Sequence, residues 1–201
     1  MTIVEMLVAI FIFTIGIAGF TLLFSRTWRV NKYTLEMGQS SIAVSQGVKQ
    51  IVNYVRGARQ GDDGSYPLKS AANNDLVLYS DYDKDNVTER LHFYKSGQDI
   101  LMGVTNPTTI MPKSYPVSDQ QILTIAKYIV NDASTPIFYF YDKDYYGGAT
   151  QNPLATPAIV SDVRIIKIYL HINIDPYRTP DNIEMESLVK IRNINDYDRL
   201  K

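Results

Sequence analysis

The chain has 201 residues, room for one membrane-sized helix and one domain of ordinary size. A formal charge of −1 gives no global basic field for nucleic acid, and 20% charged against 45% hydrophobic residues excludes overall disorder. Cysteine is absent, which rules out disulfide staples and thiolate metal sites.

Residues 1–24, MTIVEMLVAIFIFTIGIAGFTLLF, carry no charge from Met6 to Phe24. As a helix that run spans ~28 Å, close to the roughly 30 Å of a bilayer's hydrocarbon core. No Lys or Arg precedes it, and it is longer than the apolar core of a signal peptide. The spacing therefore predicts a membrane helix. Glu5 lies one turn in, where a carboxylate costs a few kcal/mol unless it is paired or reaches the interface. A terminal amine and a Glu four residues later suggest self-assembly, the Glu of one subunit neutralising the amine of its neighbour. Arg26, Arg29 and Lys32 follow directly, and the positive-inside rule alone places that end in the cytoplasm.

The run Met1-Thr2-Ile3-Val4-Glu5-Met6-Leu7-Val8-Ala9-Ile10 resembles the mature N-terminus of type IV pilins and of the related pseudopilins of type II secretion. The resemblance implies a basic leader removed by a prepilin peptidase, Met1 as the processed and methylated terminus, and Glu5 as the assembly carboxylate. A removed basic leader also resolves the conflict with the charges at 26–32. The partners implied are the membrane before assembly, an inner-membrane assembly platform and other subunits of a homo- or hetero-filament at or beyond the cell surface. Two positions depart from the pattern: Met1 replaces the commoner Phe, and Leu22 stands where many major pilins have a helix-loosening Pro. Gly16 and Gly19 are the remaining candidates for local weakening, each costing about 1 kcal/mol relative to Ala.

The helical pattern continues through residues 25–58. Val30, Tyr33, Met37, Val44, Val48, Ile51 and Val55 form one stripe, to be covered by the chain's own domain. Trp28, Leu35 and Ile42 lie on nearly the opposite face, open to neighbouring subunits, solvent or a membrane interface. Gly57, Gly61, Gly64 and Pro67 end the pattern, so one helix from about residue 2 to 58 would be ~85 Å long.

Residues 59–201 change to a period of two. Leu76–Ser80 and Val87–Lys95 read as a hairpin around the DYDKDN turn, and Ile100–Val104 follows. Thr105–Asp119 reads as a surface loop, and Ile122–Val130 and Ile137–Tyr141 read as strands, followed by a long polar loop. Val163–Ile174 alternates, with Ile166, Ile168, Leu170, Ile172 and Ile174 as the core face and Val163, Ile165, Lys167, Tyr169, His171 and Asn173 opposite. Met185–Asn193 forms a last strand, and the tail DYDRLK is exposed. The expected class is α+β: a long N-terminal helix, with a membrane half and an amphipathic half, packed on a mostly antiparallel sheet of five to seven strands. The ending Ile191-Arg192-Asn193 also resembles the larger minor pilins and J-type pseudopilins.

Catalysis is not expected. His92 and His171 each sit alone in a strand, and no phosphate loop or nucleophile elbow is present. Asp81, Asp83 and Asp85 alternate like the start of a Ca2+ loop, but Asn86 and His92 occupy the positions for the turn glycine and the bidentate carboxylate. A polar hairpin turn explains the same residues. Asp142 and Asp144 near Gly147-Gly148 are a second candidate of this kind. The 15 tyrosines suit adhesion, subunit packing or half-buried sheet positions, and Lys49, Arg56 and Arg59 are the nearest approach to a basic patch. The expected function is a structural filament subunit, without nucleic acid as a partner. The alternative is a membrane-anchored extracytoplasmic binding module, a monomer acting through its tyrosine-rich loops.

Overall fold

The computed structural model describes residues 2–147, 151–175 and 182–194. The chain divides into two compact units, Met1–Gln39 and Ser40–Lys201. One helix, α1 (Ile3–Arg56), supplies the described structure of the first and the opening of the second. It is α+β, a long apolar N-terminal helix packed on antiparallel sheet. Arg56 lies in its last turn, where a cation suits the helix dipole, and Gly57 closes it by donating to Asn53 O at 2.9 Å.

Within the second unit eight strands follow: β1 (Leu68–Ala72), β2 (Asp75–Ser80), β3 (Glu89–Ser96), β4 (Asp99–Thr105), β5 (Gln121–Ala126), β6 (Phe138–Tyr141), β7 (Ile165–Ile172) and β8 (Ile183–Lys190). They form two antiparallel sheets, of order β1-β2-β3-β4-β5 and β6-β7-β8, where a single sheet was expected. The β2–β3 hairpin falls where the alternation predicts it, with Leu76 opposite Phe93 and Leu78 opposite Leu91. Val44, Val48, Ile51 and Val55 of α1 join those four side chains and Met102 in one core. Burial of each such side chain contributes about 1.5–3 kcal/mol. Backbone bonds tie the sheets together: Phe138 N–H donates to Asn73 O and Ala158 N–H to Ala71 O, covering the outer edge of β1.

Gly47 marks the closest approach of α1 to β5. A Cβ there would fall 3.1 Å from the Ile125 carbonyl carbon and closer still to its oxygen. β5 ends early, at Ala126, and Tyr128 takes φ 64°, a conformation that bulky L-residues rarely adopt.

Several expectations need correction. Val30 keeps the stripe's spacing but is 56% exposed. Val163 is fully buried and not on the outer side, because the alternation of β7 begins only at Ile165. Ile174 is half-buried, and the last strand stops at Lys190, after which Asn193 Nδ2 donates to Ala58 O at 2.8 Å. The tail lies outside the described residues. Leu68–Ala72 is a strand that the sequence reading lacked.

Candidate functional site

Two places hold the chemistry that the sequence singled out, and a third is built around His92 from residues scattered along the chain. In the first unit, α1 is long and apolar enough to cross a membrane, and the span it offers is unburied. Ile3, Leu7, Phe11, Phe13, Phe20 and Leu22 are all more than half exposed. Glu5 does more here than its spacing suggested. Thr2 N–H donates to Glu5 Oε2 at 2.8 Å, and Glu5 N–H donates to Thr2 Oγ1 at 3.3 Å. This is a reciprocal capping box, legible in Thr2-x-x-Glu5 but absent from the sequence reading. Met1 lies outside the described residues. The helix passes Gly16 and Gly19 without a break, and nothing within 4 Å of either demands glycine. Thr14 and Thr21 hydroxyls donate to Ile10 O and Ile17 O, which satisfies them in an apolar setting. Phe20, Phe24 and Trp28 stack at i, i+4 spacing with centroids 6.2 Å apart.

The second place is the β2–β3 loop. Asp81, Asp83 and Glu89 bring carboxylate oxygens within 4.8 Å of one another; Asp85, the third residue singled out by spacing, is not in this group. Loop backbone uses much of this negative charge. Asp81 accepts from Lys84 N–H and Asn86 N–H, Asp83 from Asp85 N–H, and Asp85 from Val87 N–H. Lys84 and Asn86 take φ of 67° and 72°, so the segment is a turn held by its own Asp side chains. Arg59 closes it from outside, 3.4 Å from Asp81 and hydrogen-bonded to Thr88 Oγ1 and Val87 O. This accounts for Arg59 without a basic patch. Glu89 is buried and accepts from Tyr82 N–H at 2.7 Å. Burial pushes its carboxyl up, the Tyr82 N–H opposes this, and the Asp83 and Asp85 charges add to the rise. Asp142 likewise accepts from Asp144 N–H in a local turn; Gly148 beside it lies outside the described residues.

The third place is a polar node on the outer face of the five-stranded sheet. His92 Nε2 lies 2.7 Å from Asp75 Oδ2, and Nδ1 lies 3.0 Å from Asp119 Oδ2. Carboxylates only accept, so both contacts are hydrogen bonds at once when each ring nitrogen holds a proton. Arg90, buried beside it, donates to Asp119 Oδ1, Thr105 Oγ1, Pro116 O and Val117 O. Asp119 reaches both Arg90 and His92 because β4 carries glycine beneath it: a Cβ at Gly103 would collide with the Asp119 carboxyl. Tyr115 adds another tie, donating to Thr88 O at 2.5 Å and accepting from Asp62 N–H at 3.0 Å. Burial, with the nearby Asp62 and Asp63 charges, pushes its hydroxyl up to about 12, against the Asp62 N–H bond. Lys113 pairs with Asp62 at 2.5 Å. Burial opposes the Asp62 charge, but the Lys113 and Thr88 hydrogen bonds outweigh it and hold the carboxyl below its ordinary range. The segment expected as a plain surface loop is thus strapped to the sheet.

Chemically the node is a clasp. Both His92 nitrogens are taken by carboxylates, so neither is set against a hydroxyl for nucleophilic attack. His171 Nε2 meets Tyr169 OH at 2.9 Å on the outer face of β7, where Lys167 bridges Glu186 and the Tyr169 ring. Sequence reasoning missed the node because its members are scattered from Asp75 to Asp119, with no local motif.

No protein-family model, no curated protein and no solved structure matches the chain.

Proposed function

We propose that the chain is a non-enzymatic subunit of a type IV pilus-like or type II secretion filament, anchored in the membrane before assembly. The observation that carries this reading is the division of labour along α1. Val44, Val48, Ile51 and Val55 are core residues of the second unit, whereas the apolar run from Ile3 to Phe24 is unburied. The helix is ~81 Å long by its rise per residue, far more than the second unit's core requires. In the proposed cycle lipid covers the run first, and the helices of other subunits replace lipid in the filament. Removal of a leader before Met1, its methylation, and Glu5 pairing with a neighbour's amine belong to this proposal. The second unit faces outward and carries specificity.

The test is a Glu5 series in the native host. Glu5→Ala and Glu5→Val are expected to yield a stable membrane protein that fails to enter filaments sheared from cells. Glu5→Gln keeps an oxygen for Thr2 N–H but drops the charge, so it too is expected to stay in the membrane. Normal incorporation of Glu5→Gln would overturn the pairing. Absence of wild-type chain from any sheared filament would instead favour the membrane-anchored monomer.

A further inference from the structure

We infer that the tip of the β4–β5 loop is an apolar knob that seats in a groove between α1 and β5 of a second copy of this chain. The inference rests on the filament reading and names an outer contact for it. At the tip, Thr108 N–H donates to Ser114 O at 2.8 Å and Ser114 N–H to Thr108 Oγ1 at 2.9 Å, closing residues 109–113 on themselves. Lys113, Tyr115 and the Arg90 node anchor the base. What the strap leaves outside is apolar: Ile110 is 78% exposed and Met111 77%. A tip already held rigid loses little entropy on docking.

The groove is the complementary feature on the same chain. Ala43, Val44, Ile125, Ala126 and Tyr128 line a cavity of about 250 Å³ that is mainly apolar. A dry apolar cavity of ~150 Å³ already admits a benzene-sized group, so there is room for the end of a Met or Ile side chain. One wall is set by the close passage at Gly47, and another by Tyr128 in its left-handed conformation. Strain of that kind, held by the surrounding structure, is a feature of binding surfaces.

Position decides the partner. The loop meets β5 at Gln121, and the groove lies where β5 ends at Ala126, so knob and hole sit at opposite ends of one strand. They are likewise separated along the helix: the groove borders Ala43, whereas Asp62, which holds Lys113, follows the last helical residue Arg56. Those 13 residues of rise amount to ~20 Å. Between copies whose helices run the same way, as a filament requires, such a contact is head to tail and propagates.

The chain has no cysteine, so paired cysteines give a clean test. Two tagged copies are co-expressed as full chains, one carrying Met111→Cys and the other Ala43→Cys, and sheared filaments are oxidised mildly. The expected result is a mixed-tag disulfide dimer, lost when Ala43→Cys is replaced by the remote Lys69→Cys. A single Met111→Lys is expected to cut filament recovery by roughly tenfold or more with the membrane pool intact, because a mainly apolar site that already carries Lys127 rejects a second cation. Filaments that form without the mixed dimer overturn the knob contact alone. Absence of filaments from wild-type cells overturns the filament reading and the contact with it.

Discussion

Gly103→Ala tests whether the polar node is held as its geometry implies. The added Cβ would lie 2.8 Å from Asp119 Cβ and closer still to the carboxyl, so turning the end of the side chain does not relieve the clash. Asp119 must leave, and with it go the contacts to Arg90 at 3.2 Å and His92 at 3.0 Å. Arg90 is the larger loss, because its side chain is only 6% exposed. Removing one partner of a buried ion pair costs about 3–5 kcal/mol, and the carbonyls of Pro116 and Val117 that stay with Arg90 place the effect near the low end. Replacing a strand glycine returns roughly 0.5–1 kcal/mol. A net destabilisation of about 2–3 kcal/mol is expected. The assay is denaturant unfolding of the full chain in detergent, followed by β-sheet circular dichroism, for Gly103→Ala, Asp119→Ala and the double variant. With the Asp119 carboxyl already removed, Gly103→Ala meets only the Cβ that remains, so it should cost well under its wild-type value, a coupling of about 1–2 kcal/mol. If Gly103→Ala costs as much in the Asp119→Ala background as in the wild-type chain, the clash is not the cause and the reasoning fails.

Two further outcomes follow from buried groups. Glu89 has its carboxyl raised by burial, with Asp83 and Asp85 adding to the rise, so the folded chain holds that proton more tightly than the unfolded chain. Its stabilising contribution is complete below the ordinary Glu value and is lost as pH rises through the folded one. Glu89→Gln keeps an acceptor for Tyr82 N–H and never ionises, so its Tm relative to wild type should climb between pH 4 and pH 7; a constant or falling difference refutes this. Gly47→Ala puts a methyl into the backbone of Ile125, which has no flexible end to yield. A loss of about 1–3 kcal/mol is expected in the same unfolding assay, and an unchanged midpoint would show that α1 and β5 can part at no cost.

Long regular patterns were readable from the chain; contacts between distant segments were not. α1, the β2–β3 hairpin and β7 show their periods over many residues, and each falls within a few positions of its expected bounds. β1 escaped because Leu-Lys-Ser-Ala-Ala has one large apolar side chain and no alternation to read; the short Asn73-Asn74 turn beside it was the available signal. Val30 shows the limit of a helical stripe, since spacing fixes a face and not what lies opposite it. Val163 shows the limit of alternation, since a phase holds only inside the strand. Asp81 and Asp83 do come together, but their third partner is Glu89, across the turn, and not Asp85, next in the run. Spacing along a turn does not give the direction of its side chains. The His92 node depends on Gly103 letting Asp119 lie flat on β4, a relation between residues far apart in sequence.

Glu5 stands under two demands, and their magnitudes bear on the assembly reading. Within one chain its carboxylate and Thr2 satisfy two of the amide donors that a helix leaves open at its start. A cap of this kind is worth about 1 kcal/mol, and in the proposed membrane-anchored state it would keep the charge solvated by the chain's own backbone. A hydrogen bond to a charged group is worth about 1.5–3 kcal/mol, and in the proposed filament a neighbour's amine would offer Glu5 such a bond in place of the Thr2 amide. Both partners donate to the same carboxylate, so in the proposed filament exchange of the Thr2 contact for a neighbour's amine would be close to even. Such an exchange is too small to drive assembly alone; in the proposed filament it would choose register among apolar helices that can slide past one another. In that proposal the apolar run would supply cohesion without direction, and Glu5 would supply direction.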